Sequence, residues 1–178
     1  MHLKLNKSII RSWSEQDAES LQRHADNRKI WLNLRDIFPH PYRLEDAKAF
    51  LAFVTSQSPE TTFAIATASE VIGCIGLRLG TDVHRKTAEL GYWLAEPFWQ
   101  KGIMSEAVEE FTRYSFSAFD LVRIYAEPFA NNRPSARVLE KAGFVLEGTL
   151  RANVLKNGEI LDSLMYASVR HCAATKAG

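Results

Sequence analysis

The stretch Gly91-Tyr92-Trp93-Leu94-Ala95-Glu96-Pro97-Phe98-Trp99-Gln100-Lys101-Gly102-Ile103-Met104-Ser105-Glu106-Ala107 decides how the rest of the chain is read. It opens as an aromatic strand, passes through a short loop closed by Gly102, and continues as the first turn of an amphipathic helix. A helix that starts directly after a loop leaves about four backbone N–H groups without internal partners, and its dipole adds partial positive charge there. Such a corner is suited to an anion, phosphate above all. Taken alone it is a weak signal, so its neighbours carry the argument.

Downstream, Ile103, Ala107, Phe111, Tyr114 and Ala118 recur at three or four residues and predict a helix from Gly102 to about Phe119. Leu121–Ala126 follows at once as a strand. Strand, helix and strand joined this tightly imply a parallel pair with a right-handed crossover. Asn132 is placed to cap a second helix, Arg133 to Ala142, and Gly143 to end it. The last elements are a hairpin, Phe144–Asn153 and Ile160–Arg170, turning at Asn157-Gly158.

Upstream, Glu89–Leu94 is the third of three consecutive strands after Thr62–Thr67 and Val71–Arg78. Ser8–Trp13 predicts a first strand, and Ser14 caps a helix running to about Asn27. Leu44 to Val54 is helical, with Ala47, Phe50, Leu51 and Val54 on one face. Pro39 and Pro41 forbid a continuous helix between these two, leaving 33–42 as an aromatic-rich loop.

The 178 residues are expected to form one domain, 1–178, with a 46% hydrophobic content ordinary for a globular protein. The +1 formal charge supplies no field toward nucleic acid or membrane. No apolar run reaches transmembrane length, and the first residues carry no signal-peptide pattern. Cys74 and Cys172 are too far apart to suggest a disulfide framework or zinc site, and read as reduced thiols in a cytoplasmic protein. No His/Cys cluster points to a metal.

Four pieces, in order and at matching spacing, resemble the GNAT (GCN5-related N-acetyltransferase) superfamily, and within it the ribosomal-protein N-terminal acetyltransferases. They are Phe38–Ala47, Ala88–Leu94, Trp99–Ala107 and Asn132–Phe144. The resemblance covers nearly the whole chain. It implies an α/β fold with a mixed (α+β) sheet, central, twisted and mostly antiparallel, flanked by helices. The middle strands of that sheet would splay to admit acetyl-CoA. Trp93 and Leu94 would bond the pantetheine through their backbone, and Lys101, Gly102, Ile103, Met104 and Ser105 would hold the pyrophosphate. Asn132 is implied as a further CoA-binding amide. Two departures stand out: Trp99 occupies a position the family gives to Arg or Gln, and Met104 one it gives to Gly or Ala. Met104 is therefore expected to narrow the loop.

Acetyl-CoA would be the co-substrate and a primary amine the acceptor, which must lose a proton before attack. The resemblance makes Glu89 the expected base, through water, and Ser135 the expected acid, because the tyrosine of other branches is replaced by Leu139. Tyr92 and His40 are the expected substrate contacts. Tyr92 and Trp93 alternate across the strand, so one faces the acyl site and one the core. A protein N-terminus is the preferred acceptor; a small-molecule amine (antibiotic, polyamine or amino acid) and a non-catalytic acyl-CoA-binding module are the alternatives. Monomer and homodimer stay equally open.

Overall fold

Runs of β-branched and aromatic residues, punctuated by polar turns, assemble into one sheet. The structure, a computed structural model, describes residues 1–170. Its strands are β1 (His2–Lys4), β2 (Ile9–Arg11), β3 (Thr62–Ala66), β4 (Val71–Leu79), β5 (Thr87–Leu94), β6 (Arg123–Ala126), β7 (Val145–Lys156) and β8 (Glu159–Val169). Their spatial order is β1-β2-β3-β4-β5-β6-β8-β7. Every pairing among the described residues is antiparallel except β5 with β6, which the crossover helix makes parallel.

That parallel pair is short. It joins Thr87 to Arg123, Ala88 to Ile124 and Glu89 to Tyr125, and then the strands part. β4 and β5 stay paired as far as Gly73 and Leu94, so the chain divides at the centre of the sheet as expected.

Helices cover both faces. α4 (Ile103–Ala118) and α5 (Arg133–Lys141) lie on one, where Ile103, Ala107, Val108 and Phe111 join Leu90, Ile124 and Leu139 in the larger core. Burying Phe111 completely contributes roughly 1.5–3 kcal/mol. α1 (Ala18–Ala25) and α3 (Leu44–Thr55) cover the other face. There Leu21, Ala47, Leu51 and Val54 pack with Trp13, Tyr42 and Val71. The Asn157-Gly158 turn has both residues at positive φ, 51° and 81°, as a tight hairpin with right-handed twist requires.

Three differences from the sequence reading are local. β1 was not expected: His2–Lys4 is too short to show alternation and forms because β2 offers it an edge. Arg28–Trp31 forms a single helical turn, α2, with Asn27 Oδ1 accepting from Lys29 N at 2.8 Å. The helix expected from Ser14 begins as a 3₁₀ turn, Glu15–Asp17, closed by a capping box between Ser14 and Asp17. Cys172 lies outside the described residues.

Candidate active site

Strand alternation dictates what the parting strands expose. Gly80 N donates to Thr87 O, and Ala95 N donates to Ile72 O, each at 2.8 Å, bracketing the β4–β5 ladder. Odd-numbered residues of β5 therefore turn their backbone groups to β4, and even-numbered residues turn theirs toward β6. Past Glu89, β6 has moved away, so the groups of Tyr92 and Leu94 face the gap. This corrects one expectation: the backbone of Trp93 is committed to β4 opposite Cys74. Leu94 is half available, because its carbonyl accepts the Trp99 indole N–H at 2.6 Å. Trp99, the first departure from the family pattern, thus fastens the loop before α4 to the end of β5.

The loop itself turns on two left-handed residues, Gln100 at φ 61° and Gly102 at φ 79°. Gly102 is the helix N-cap and has no side chain to offer. The first ladder bond of α4 runs from Glu106 N to Gly102 O at 3.2 Å, leaving the amides of Ile103, Met104 and Ser105 without helical partners. Three free donors, a helix dipole and the Lys101 ammonium suit a pyrophosphate. Met104 does not narrow this loop. Its side chain is buried in the core, so only its amide faces the site. Glu106 accepts from Asn6 N at 2.9 Å and Asn6 Nδ2 at 2.8 Å, tying the β1–β2 turn to the helix.

α5 starts differently. Asn132 Oδ1 accepts from Ser135 N at 3.2 Å, so this first turn is already capped and only the Asn132 amide NH₂ is left for a ligand. The Ser135 hydroxyl stands 2.8 Å from the Tyr92 hydroxyl, joining α5 to β5 across the gap. Burial raises the Tyr92 phenol above its ordinary value, against the opposing pull of its Ser135 hydrogen bond, so it stays protonated at neutral pH. Tyr92 and Trp93 do part company: Trp93 goes to the opposite face, its ring centroid 6.0 Å from that of Phe38.

Glu89 is where the strands begin to part, yet it is not a free carboxylate. One oxygen accepts from Arg35 and the other from Arg78. This geometry makes Glu89 an anchor for the 33–37 loop. His40 stacks on Trp31 at 5.7 Å, with Nδ1 3.5 Å from Asp26. Lys156 sits 3.8 Å over the same Trp31 ring and 2.6 Å from Asp36. Leu139, in the tyrosine position of other branches, is wholly buried.

Sequence reasoning missed Arg35, Arg78, Lys156 and Glu127. Glu127 follows the last residue of β6, and the carboxyl ends of parallel strands are where open sheets place ligands; that signal was available. Among the described residues, no cluster of His, Cys, Asp and Glu is placed to hold a metal, and no helix is long and apolar enough to cross a membrane.

A sheet split at its parallel pair, with an uncapped helix start beside the split, defines the class: an acyl-CoA-dependent N-acyltransferase. Residues 7–145 match the acetyltransferase (GNAT) domain, and the chain belongs to that family. It is 30% identical to the uncharacterized N-acetyltransferase YoaA of Bacillus subtilis (strain 168) over 171 residues, 94% of this chain and 96% of the relative. It is 32% identical to the ribosomal-protein-serine acetyltransferase of Escherichia coli (strain K12) over 107 residues, 60% of this chain and 59% of that one. The fold matches RimL, a ribosomal L7/L12 α-N-protein acetyltransferase solved in complex with coenzyme A, at a TM-score of 0.84 and 22% identity, over 96% of this chain and 98% of that one. The protein is thus an acetyl-CoA-dependent N-acetyltransferase acting on an amine.

Proposed function

We propose that this chain, working as one cytoplasmic domain, acetylates a protein N-terminal α-amino group. The observation that carries the reading is the parted β5–β6 pair, whose unpaired backbone leads from the free amides of α4 to the Ser135–Tyr92 hydroxyl pair. The pyrophosphate rests on Ile103, Met104 and Ser105. The pantetheine follows the gap-facing groups of Tyr92 and Leu94, with the Asn132 amide at its side. Its thioester then reaches the hydroxyl pair.

An α-amine has a pKa of about 7.7–8, so only a modest fraction is neutral at pH 7 and a base has work to do. Once neutral, the amine attacks the thioester carbonyl; the C–N bond forms, the C–S bond breaks, the nitrogen's surplus proton leaves to water, and the thiolate is protonated through the Ser135 hydroxyl. Tyr92, which burial holds in its protonated form, hydrogen-bonds Ser135, and the hydroxyl pair regains its proton from water. Thiolate is a good leaving group, so holding the two reactants together supplies much of the rate. The likeness to ribosomal-protein-serine acetyltransferase favours a protein acceptor.

The test is thiol release from acetyl-CoA with N-terminal peptides and small amines as acceptors. Turnover on peptides is expected. Tight CoA binding without release on any amine would instead identify a binding module.

A further inference from the structure

Beyond the CoA gap lies a second feature, in which acetyl-CoA has no part. A cavity of about 280 Å³ opens between the 33–37 loop and the far end of β7, lined by Leu34, Arg35, Glu127, Phe129, Val154 and Lys156 among others. That is room for one or two amino-acid residues rather than a drug-sized ligand. Another hollow, beside Leu79, Lys86 and Leu121, lies at the opposite ends of β5 and β6 and has no access to the gap.

We infer that this cleft takes the acceptor through an ammonium next to a carbonyl, with Glu127 receiving the ammonium and the Arg35 guanidinium facing the carbonyl or carboxylate. This rests on the acetyltransferase reading and names the chemistry of its acceptor. Glu127 is oriented for the task. Its Oε1 accepts from Asn153 Nδ2 at 2.6 Å and from the fully buried Ser163 hydroxyl at 2.8 Å. Its Oε2 has no partner among the described residues. Both of Glu89's oxygens, by contrast, are taken by arginines.

Position agrees with orientation. Glu89 pairs with Tyr125, so two residues further along each strand Glu127 comes level with Gly91. A side chain at Gly91 would meet nothing within 4 Å. Gly91 therefore keeps the face of β5 level with Glu127 open, and in this arrangement an amine held by Glu127 reaches the thioester across that open face. Glu127 takes the ammonium proton, and the freed lone pair attacks.

Charge selects the class. Arg35 uses one guanidinium nitrogen on Glu89 and is half exposed, so it retains donors for a carbonyl oxygen. Lys156 adds a second cation, already paired with Asp36. A polyamine would place further ammonium groups against these two cations, whereas an α-amino carbonyl compound matches both signs.

The experiment compares a tripeptide with a free N-terminus, a free amino acid and spermidine as acceptors, at several pH values. Wild type is expected to favour the α-amines over spermidine by 10-fold or more in kcat/KM. A lead of the peptide names a protein N-terminus as the source, a lead of the amino acid names free amino acids, and either supports the cleft. Glu127→Gln should lower kcat/KM for α-amines about 10²–10⁴-fold at pH 7, with recovery as pH rises past about 8 and the amine is already neutral. Acetyl-CoA affinity should not change. Gly91→Val, which suits a strand, should raise the acceptor KM 10-fold or more with acetyl-CoA affinity intact, and it reads the open face even where the Glu127 variant folds poorly. Wild-type kcat/KM in Glu127→Gln, or spermidine as the best acceptor, overturns the inference. Absence of turnover on every amine in wild type defeats the acetyltransferase reading instead. The cleft is then read by titrating the tripeptide into the CoA complex: binding lost in Glu127→Gln supports it, and unchanged binding overturns it.

Discussion

Glu89→Gln separates an anchor from a base. In the wild type one carboxylate holds two guanidiniums, and its own side chain is only 13% exposed while Arg35 and Arg78 are 55% and 67% exposed. Gln has almost the same shape but turns one acceptor into an NH₂ group that faces a guanidinium. Ion pairs with exposed partners are worth about 0.2–1 kcal/mol each. With both at the upper end because Glu89 is sheltered, the loss is about 1–2 kcal/mol. For a chain of this length each kcal/mol moves Tm by roughly 2–4 °C, so a drop of about 2–8 °C is expected by calorimetry. The untethered 33–37 loop should also raise the acceptor KM, while kcat and the pH–rate profile stay near wild type. Loss of a general base looks different: a fall in kcat of about 10²–10⁴ with an altered ascending limb. A collapse of kcat of that size with Tm unchanged would refute the anchor role and identify Glu89 as the base.

Other outcomes follow from the same geometry. Gly102→Ala meets no atom within 4 Å but must hold φ near 79°, a left-handed strain of about 1–2 kcal/mol; acetyl-CoA affinity should weaken in a titration while the acceptor KM stays put. Tyr92→Phe leaves Ser135 without its partner and should lower kcat several-fold, with little change in the KM for acetyl-CoA; unchanged kcat argues against a relay. The Cys74 thiol is pushed by burial up from 9.0 to about 12. Because the folded value is the higher, its stabilising contribution is complete below pH 9 and is lost as pH rises toward 12. Thiol reagents at pH 8 should therefore label Cys74 only after denaturant is added.

The elements that local chemistry dictates were readable in the sequence. Asn157-Gly158 announced its hairpin, the Ile103–Phe111 spacing announced α4, and the immediate strand after it announced the parallel pair. The phosphate corner could be read for the same reason, since it depends on backbone and one glycine. The surroundings of Glu89 could not, because Arg35 lies 54 residues away and reaches it only through the folded loop. Trp93 was assigned to the pantetheine although strand parity turns its backbone the other way, and parity becomes known only when the ladder's bonded pairs are known. Lys156 is buried beneath Trp31 and Asp36, which no hydropathy pattern foretells of a lysine at a hairpin turn.

Those two loop attachments are alike in build. Each sets a sheltered group against an exposed one: the Glu89 side chain is 13% exposed against 55% for Arg35, and that of Lys156 3% against 70% for Asp36. Dissolved ions screen exposed charges over about 8 Å at physiological strength and reach sheltered ones far less. Added salt should therefore loosen the 33–37 loop at both ends together rather than swing it from one, since the sheltered member of each pair keeps part of its hold while its exposed partner is screened.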